Sequence, residues 1–176
     1  MANREALREL QARLAERLQA ARTEARQVSW LAVECAGQGL LMPLQGAGEI
    51  FSMATLMPVP HTQPWFMGVA NLRGGLHGVV DLATFLGLRD GVLPDGVREG
   101  GSLLALNPAL GSHSAVLVDR LAGLRGAEQL KAEEPEDDLP RPGFAGPRWR
   151  DAEDRIWQEI DLGALARHEQ FLGISA

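Results

Sequence analysis

Tyrosine is absent from this chain, and cysteine occurs once, at Cys35. A lone thiol excludes an internal disulfide and fits a reducing compartment. Long apolar runs are missing too: none approaches the ~18 residues that a membrane-spanning helix requires. The N-terminal stretch Asn3–Arg26 carries ten charges and no apolar core, so it does not read as a secretory signal. Basic charge is short, with 17 Lys and Arg against 23 Asp and Glu for a net charge of −6. A nucleic-acid partner would favour the opposite sign. The expectation is a soluble cytoplasmic protein of one domain plus an extension, long enough at 176 residues to bury a core without staples.

Recognisable reaction chemistry is scarce as well. His61, His77, His113 and His168 are widely separated in the chain, with no cysteine or carboxylate at metal-ligand spacing. Gly68–Gly75 is glycine-bearing but lacks the Gly-Lys-Ser/Thr that would hold a phosphate. Ser112-His113-Ser114 has the wrong flanks for a nucleophile elbow. Cys35, inside a predicted strand, reads as a small core hydrophobe. Asp81 reads as the cap of a following helix. No catalytic residue, cofactor site or metal site is expected.

What the chain does have is organised around Gly68–Leu88, GVANLRGGLHGVVDLATFLGL. Two short apolar runs, Val69–Leu72 and Leu76–Leu82, flank Arg73-Gly74-Gly75 and read as buried strands joined by a hairpin. Gly74-Gly75 would supply the positive φ angles of the turn. Arg73, the one cation of the stretch until Arg89, is either a solvated turn residue or a docking finger with a planar hydrogen-bonding fork.

Residues 1–27 form a charged leader, in which 2–26 read as one amphipathic helix with Leu7, Leu10, Leu14 and Leu18 on a narrow stripe. That stripe would dock on the following domain or pair with another helix. From Val28 the period changes, and residues 28–176 read as one domain. Strands are predicted at Val28–Ala36, Leu40–Leu44 and Glu49–Val59, with Pro43 placing the second at an edge or a bulge. Trp65 should anchor a proline-stiffened link. Arg89–Gly101 reads as a loop, and Ser102–Leu106 and Ser114–Val118 as strands, the latter continuing through Leu124. Residues 131–148, with five carboxylates at Glu133–Asp138 and four nearby prolines, read as a flexible acidic insertion outside the fold. Ile156–Ile160 reads as a strand, with Asp161 capping a helix that starts at Leu162.

Pro64-Trp65, Gly68-Val69-Ala70-Asn71-Leu72-Arg73-Gly74 and Val79-Val80-Asp81-Leu82 together resemble the central signature of CheW-type coupling proteins of bacterial chemosensory systems. That signature is PxWxxGVxNLRG, then xxPVVDL, then a short leucine-rich helix, here Ala83–Leu88. His77-Gly78 departs from it, where the family often has an apolar residue and proline. Val118-Asp119 with the following residues to Gly123 is similar to the family's VDxVxG element. IDLGALARHEQFLGI resembles its closing strand and helix. The charged leader and the ALARHEQFLGIS tail resemble one branch in particular, the PilI-type proteins of type IV pilus (twitching motility) systems. The likeness spans roughly residues 29–172.

The resemblance implies a mainly β, CheW-like fold: two SH3-like five-stranded barrels around a shared core, with an N-terminal and a C-terminal helix. It implies a non-enzymatic adaptor that couples the cytoplasmic tip of a methyl-accepting chemoreceptor to the regulatory domain of a CheA-type histidine kinase. Such an adaptor would sit in the cytoplasm, recruited to membrane-associated receptor arrays. Twitching motility is the implied output and flagellar chemotaxis the alternative; a small β-barrel enzyme is the competing class. By the same resemblance Glu49, Ile50, Gly68, Val69, Asn71, Arg73 and Gly74 lie at or beside the partner surfaces. Kinase contact would be barrel on barrel, and receptor contact a helix tip laid in a groove.

Overall fold

The computed structural model describes residues 29–134 and 140–176. The expected leader helix, and Val28 with it, lies outside the described residues. Eleven strands are described: β1 (Ser29–Cys35), β2 (Gln38–Pro43), β3 (Ala47–Ser52), β4 (Phe66–Leu72), β5 (Gly75–Asp81), β6 (Ser102–Leu106), β7 (Ser114–Val118), β8 (Arg120–Gly126), β9 (Lys131–Glu133), β10 (Ala145–Arg150) and β11 (Ile156–Ile160). Four short helices accompany them: α1 (Leu82–Phe85), α2 (Asp95–Gly100), α3 (Leu162–Ala166) and α4 (Glu169–Leu172).

The strands make two sheets, one ordered β8-β1-β2-β11-β10-β9 and the other β3-β6-β7-β5-β4. Each sheet is rolled. In the five-stranded sheet the chain runs on past β3, and Met57 pairs with Val69 of the far edge strand through two backbone hydrogen bonds of 2.8 and 2.9 Å. In the six-stranded sheet the edge strands β8 and β9 are joined only by the 3₁₀ turn Ala127–Gln129 and Leu130. Laid flat, those edges would stand about 24 Å apart, five strand spacings, far more than one tight turn can bridge.

Rolling explains the sequence pattern. Most central strands are buried on both faces, so they read as continuous apolar runs instead of alternating ones. Leu31, Val33 and Cys35 of β1 face a core shared by both barrels, with Leu40 and Met42 of β2, Leu104 and Leu106 of β6, and Val116 and Val118 of β7. The residues between them point into their own barrel. Trp30, Ala32, Leu41 and Trp157 fill the six-stranded barrel. Ala70, Val79, Leu103, Ala105, Ala115 and Leu117 fill the five-stranded one. Trp65 anchors its link as expected, at 6% exposure, stacked on Phe171 and edge-on to Phe85. Asp81 caps α1 by accepting from Ala83 N–H at 3.2 Å, and Asp161 caps α3 through Ala164 N–H at 2.9 Å. Truncating one of the fully buried leucines at this junction would cost on the order of 2–5 kcal/mol.

Several expectations are corrected. The segment read as an insertion, residues 131–148, contributes strands at both ends: β9 pairs with β10, so one barrel counts six strands where five were expected. A bidentate pair holds that ladder, with Arg150 Nε and Nη2 donating to the two Glu133 oxygens at 2.8 Å each. This is how a strand with few apolar residues joins a sheet. Ser114–Leu124 is two strands, not one. The chain leaves one barrel after Val118 and enters the other at Arg120, so β7 and β8 belong to different sheets. Pro43 ends an interior strand, past the last residue that β11 pairs with. The long third strand stops at Ser52, and the predicted loop after Arg89 contains α2.

Candidate protein interface

Seven residues were singled out, and the structure sorts them by what they touch. Arg73 and Gly74, at φ +49° and +82°, are the central residues of the β4–β5 turn, while Gly75 is already the first residue of β5. This corrects the Gly74-Gly75 assignment. Positive φ at both central residues is the mirror-image turn that matches strand twist. Asn71 closes it: its Oδ1 accepts from Gly74 N–H at 2.8 Å. A non-glycine residue held in left-handed backbone stores roughly 1–2 kcal/mol of steric cost.

The rolled sheet brings the first of the seven to the others. Glu49 of β3 forms an ion pair with Arg73 across the mouth of the five-stranded barrel, and both side chains stay exposed. A register shift between Ala47 and Ile50 lets Glu49 and Ile50 both face outward, while Phe51 turns in. Exposed ion pairs contribute about 0–1 kcal/mol, so this pair adds little to the fold. Ile50 at 40% exposure and Leu76 at 59% add an apolar margin to the same barrel. Sequence reading missed Leu76, placing it inside a buried strand, although its place opposite Asn71 at the tip carries it out of the core.

Gly68 and Val69 do different work. Gly68 is buried at φ +122°, and a Cβ there would overlap the Met57 carbonyl oxygen. It is the point where the barrel closes, buried against the Met57 backbone. Val69 is half-buried and supplies the backbone that pairs with Met57.

Groups that could do chemistry are placed elsewhere. Burial pushes the Cys35 thiol up to about 12, with the Asp119 charge adding to it, so it is neither a nucleophile nor a thiolate ligand at neutral pH. His77 and His113 are brought together, ring centroids 6.2 Å apart, but no third ligand joins them. Among the described residues no group of three or more His, Cys, Asp or Glu is placed to hold a metal ion. A cleft of about 640 Å³ at the junction of the barrels is lined by Leu40, Phe85 and Ile160 with Arg141, Arg148 and Gln158 on its polar side. Among the described residues its lining contains no carboxylate, thiol or imidazole. Around Glu34, burial pushes the carboxyl up, but hydrogen bonds and charge from Arg120 and Arg155 outweigh it and hold it below the usual value. That network ties β1 to β8 and to the residue before β11.

A mainly β fold of two rolled sheets around a shared core is what the sequence resemblance had implied. The model of the CheW-like domain family matches residues 29–170 of this chain. The chain belongs to the CheW-like domain family. It is 27% identical over 169 residues to protein PilI of Pseudomonas aeruginosa, covering 93% of this chain and 89% of that protein. In structure it is similar to the scaffolding protein TtCheW of Thermoanaerobacter tengcongensis, with a TM-score of 0.61 at 16% identity, over 77% of this chain and 89% of that one. At that identity the likeness speaks for the fold. Among the described residues of this CheW-like chain, no helix is long and apolar enough to cross a membrane.

Proposed function

We propose that this CheW-like chain is a non-enzymatic adaptor. It joins the regulatory domain of a CheA-type histidine kinase to the cytoplasmic tip of a chemoreceptor within a membrane-associated array. The observation that carries the reading is Arg73: an exposed guanidinium on a strained turn of a rigid barrel, steadied by Glu49 and contributing little to the core. The turn itself does not call for the guanidinium, since Ala36 turns the β1–β2 hairpin at the same φ of +49°. Ile50 and Leu76 supply apolar contact beside it, and a charged anchor with an apolar margin suits a protein partner. Likeness to PilI supports a type IV pilus output over a flagellar one.

The reading is tested by mixing the purified full chain with the CheA-type kinase and the receptor's cytoplasmic fragment from the same organism and following complexes by sedimentation. The adaptor should be required for kinase and receptor to co-sediment. A chain that binds neither would overturn the proposal, and unchanged pilus-driven motility in a deletion strain would overturn the output.

A further inference from the structure

Among the described residues one carboxylate, Asp81, is buried beside the core shared by the two barrels. Asp81 at the end of β5 is 2% exposed, and the Arg89 side chain beside it is 6% exposed. Arg89 Nε lies 3.9 Å from Asp81 Oδ2, while Arg89 Nη2 donates to Asp119 Oδ1. Asp119 stands where the chain crosses between barrels. Its Oδ2 accepts from Ala36 N–H at 2.8 Å, and its own N–H donates to the Glu34 carbonyl at 2.9 Å. Ala36 and Glu34 belong to the β1–β2 hairpin of the six-stranded barrel, whereas Asp81 belongs to the five-stranded barrel. A path therefore runs from Asp81 by an ion pair to Arg89, and from Arg89 by hydrogen bonds through Asp119 to Ala36, connecting the two barrels.

Stability does not account for this device. Burying charges costs several kcal/mol per ion, and mutual attraction returns little more than that. Arg89 Nη1 adds a further cost, since it is buried without a hydrogen-bond partner among the described residues. Apolar packing between the barrels resists separation but is non-directional, so on its own it tolerates small rotations. A planar guanidinium hydrogen-bonded to one fixed carboxylate and held by charge against a second resists them. We infer that Arg89 is a positioning residue that fixes the angle between the two barrels by bridging Asp81 and Asp119. The inference rests on the fold and stands whether or not the partner assignment above holds.

The test is the inter-barrel distance distribution measured by pulsed electron resonance on the full chain. Labels go on Ser52→Cys and Leu124→Cys, exposed positions in different barrels; Cys35 is buried with its thiol pushed up to about 12 and stays unlabelled. A second pair, Ser52→Cys and His113→Cys, reports on the five-stranded side alone. Arg89→Met should at least about double the width of the first distribution, as expected for a rigid-body rotation about an interface, and leave the second unchanged. Arg89→Lys, a point charge that cannot fork, should fall between. Should Arg89→Met fail to fold, Asp119→Asn decides, because it keeps an acceptor for Ala36 and removes the charge. An unchanged inter-barrel distribution in the folded variant, or equal broadening of both pairs, would overturn the inference.

Discussion

The β1–β2 and β4–β5 hairpins turn through the same backbone, Ala36-Gly37 at φ +49° and +80° and Arg73-Gly74 at +49° and +82°. Both use a non-glycine residue in left-handed conformation, followed by glycine. In the first the residue is alanine, whose N–H donates inward to Asp119 in the clamp between the barrels. In the second it is arginine, whose side chain reaches out to Glu49 at an exposed rim. Since alanine satisfies the turn, the guanidinium of Arg73 is not there for turn geometry. The hairpins differ in destination: one locks the molecule together and the other is presented to the outside.

Substitutions in the two hairpins test that contrast. The largest effect is expected for Gly68→Ala, which forces a Cβ onto the Met57 backbone at φ +122° and should cost about 3 kcal/mol or more in denaturant unfolding. A glycine of the other hairpin, substituted as Gly39→Ala, places the Cβ 2.7 Å from the Trp157 ring. A ring gives way more readily than backbone, so the loss should be smaller, roughly 1–3 kcal/mol. If Gly39→Ala proves the more damaging, the claim that Gly68 is the closure point fails. Gly37→Ala and Gly74→Ala meet nothing within 4 Å. Each should therefore lose only the left-handed preference, about 1–2 kcal/mol, and the two melting curves should shift equally. Unequal shifts would mean the turns are not equivalent.

Acid should separate the hairpins more gently. Glu34, next to the first turn, is held below the ordinary 4.5 because Arg120 and Arg155 outweigh its burial. A depressed folded value contributes stability that is present above the unfolded pKa and is lost as pH falls through the folded one. Stability measured downward from pH 5 should therefore fall less steeply in Glu34→Gln than in the parent chain. Parallel curves would remove Glu34 from the account.

The parts of this architecture written in the sequence are local ones. Runs such as Leu103–Leu106 and Ala115–Val118 are buried on both faces, and a short, fully apolar stretch bounded by polar or turn residues shows that directly. Caps at Asp81 and Asp161 were equally plain, because a cap acts within three residues. The glycine pair at 74–75 read as the turn centre, but the turn sits one residue earlier, on Arg73-Gly74, where the strand register and the Asn71 hydrogen bond place it. Pairing of Glu49 with Arg73 was hidden, since it arises when the sheet rolls and joins residues 24 apart in the chain. β9 was hidden for another reason: Lys131–Glu133 is held by its ladder and by the Glu133–Arg150 fork, so its composition resembles that of the acidic stretch beside it.

The most direct test of the central claim makes the second turn a copy of the first. Arg73→Ala converts Arg-Gly into the Ala-Gly already present at 36–37, so stability should stay within about half a kcal/mol of the parent. Affinity for the kinase regulatory domain or for the receptor tip fragment, titrated side by side with both proteins, should fall by about tenfold or more, which is 1.4 kcal/mol. Unchanged affinity for both partners in a fully folded variant would contradict the account, as would a loss of stability large enough to explain the binding.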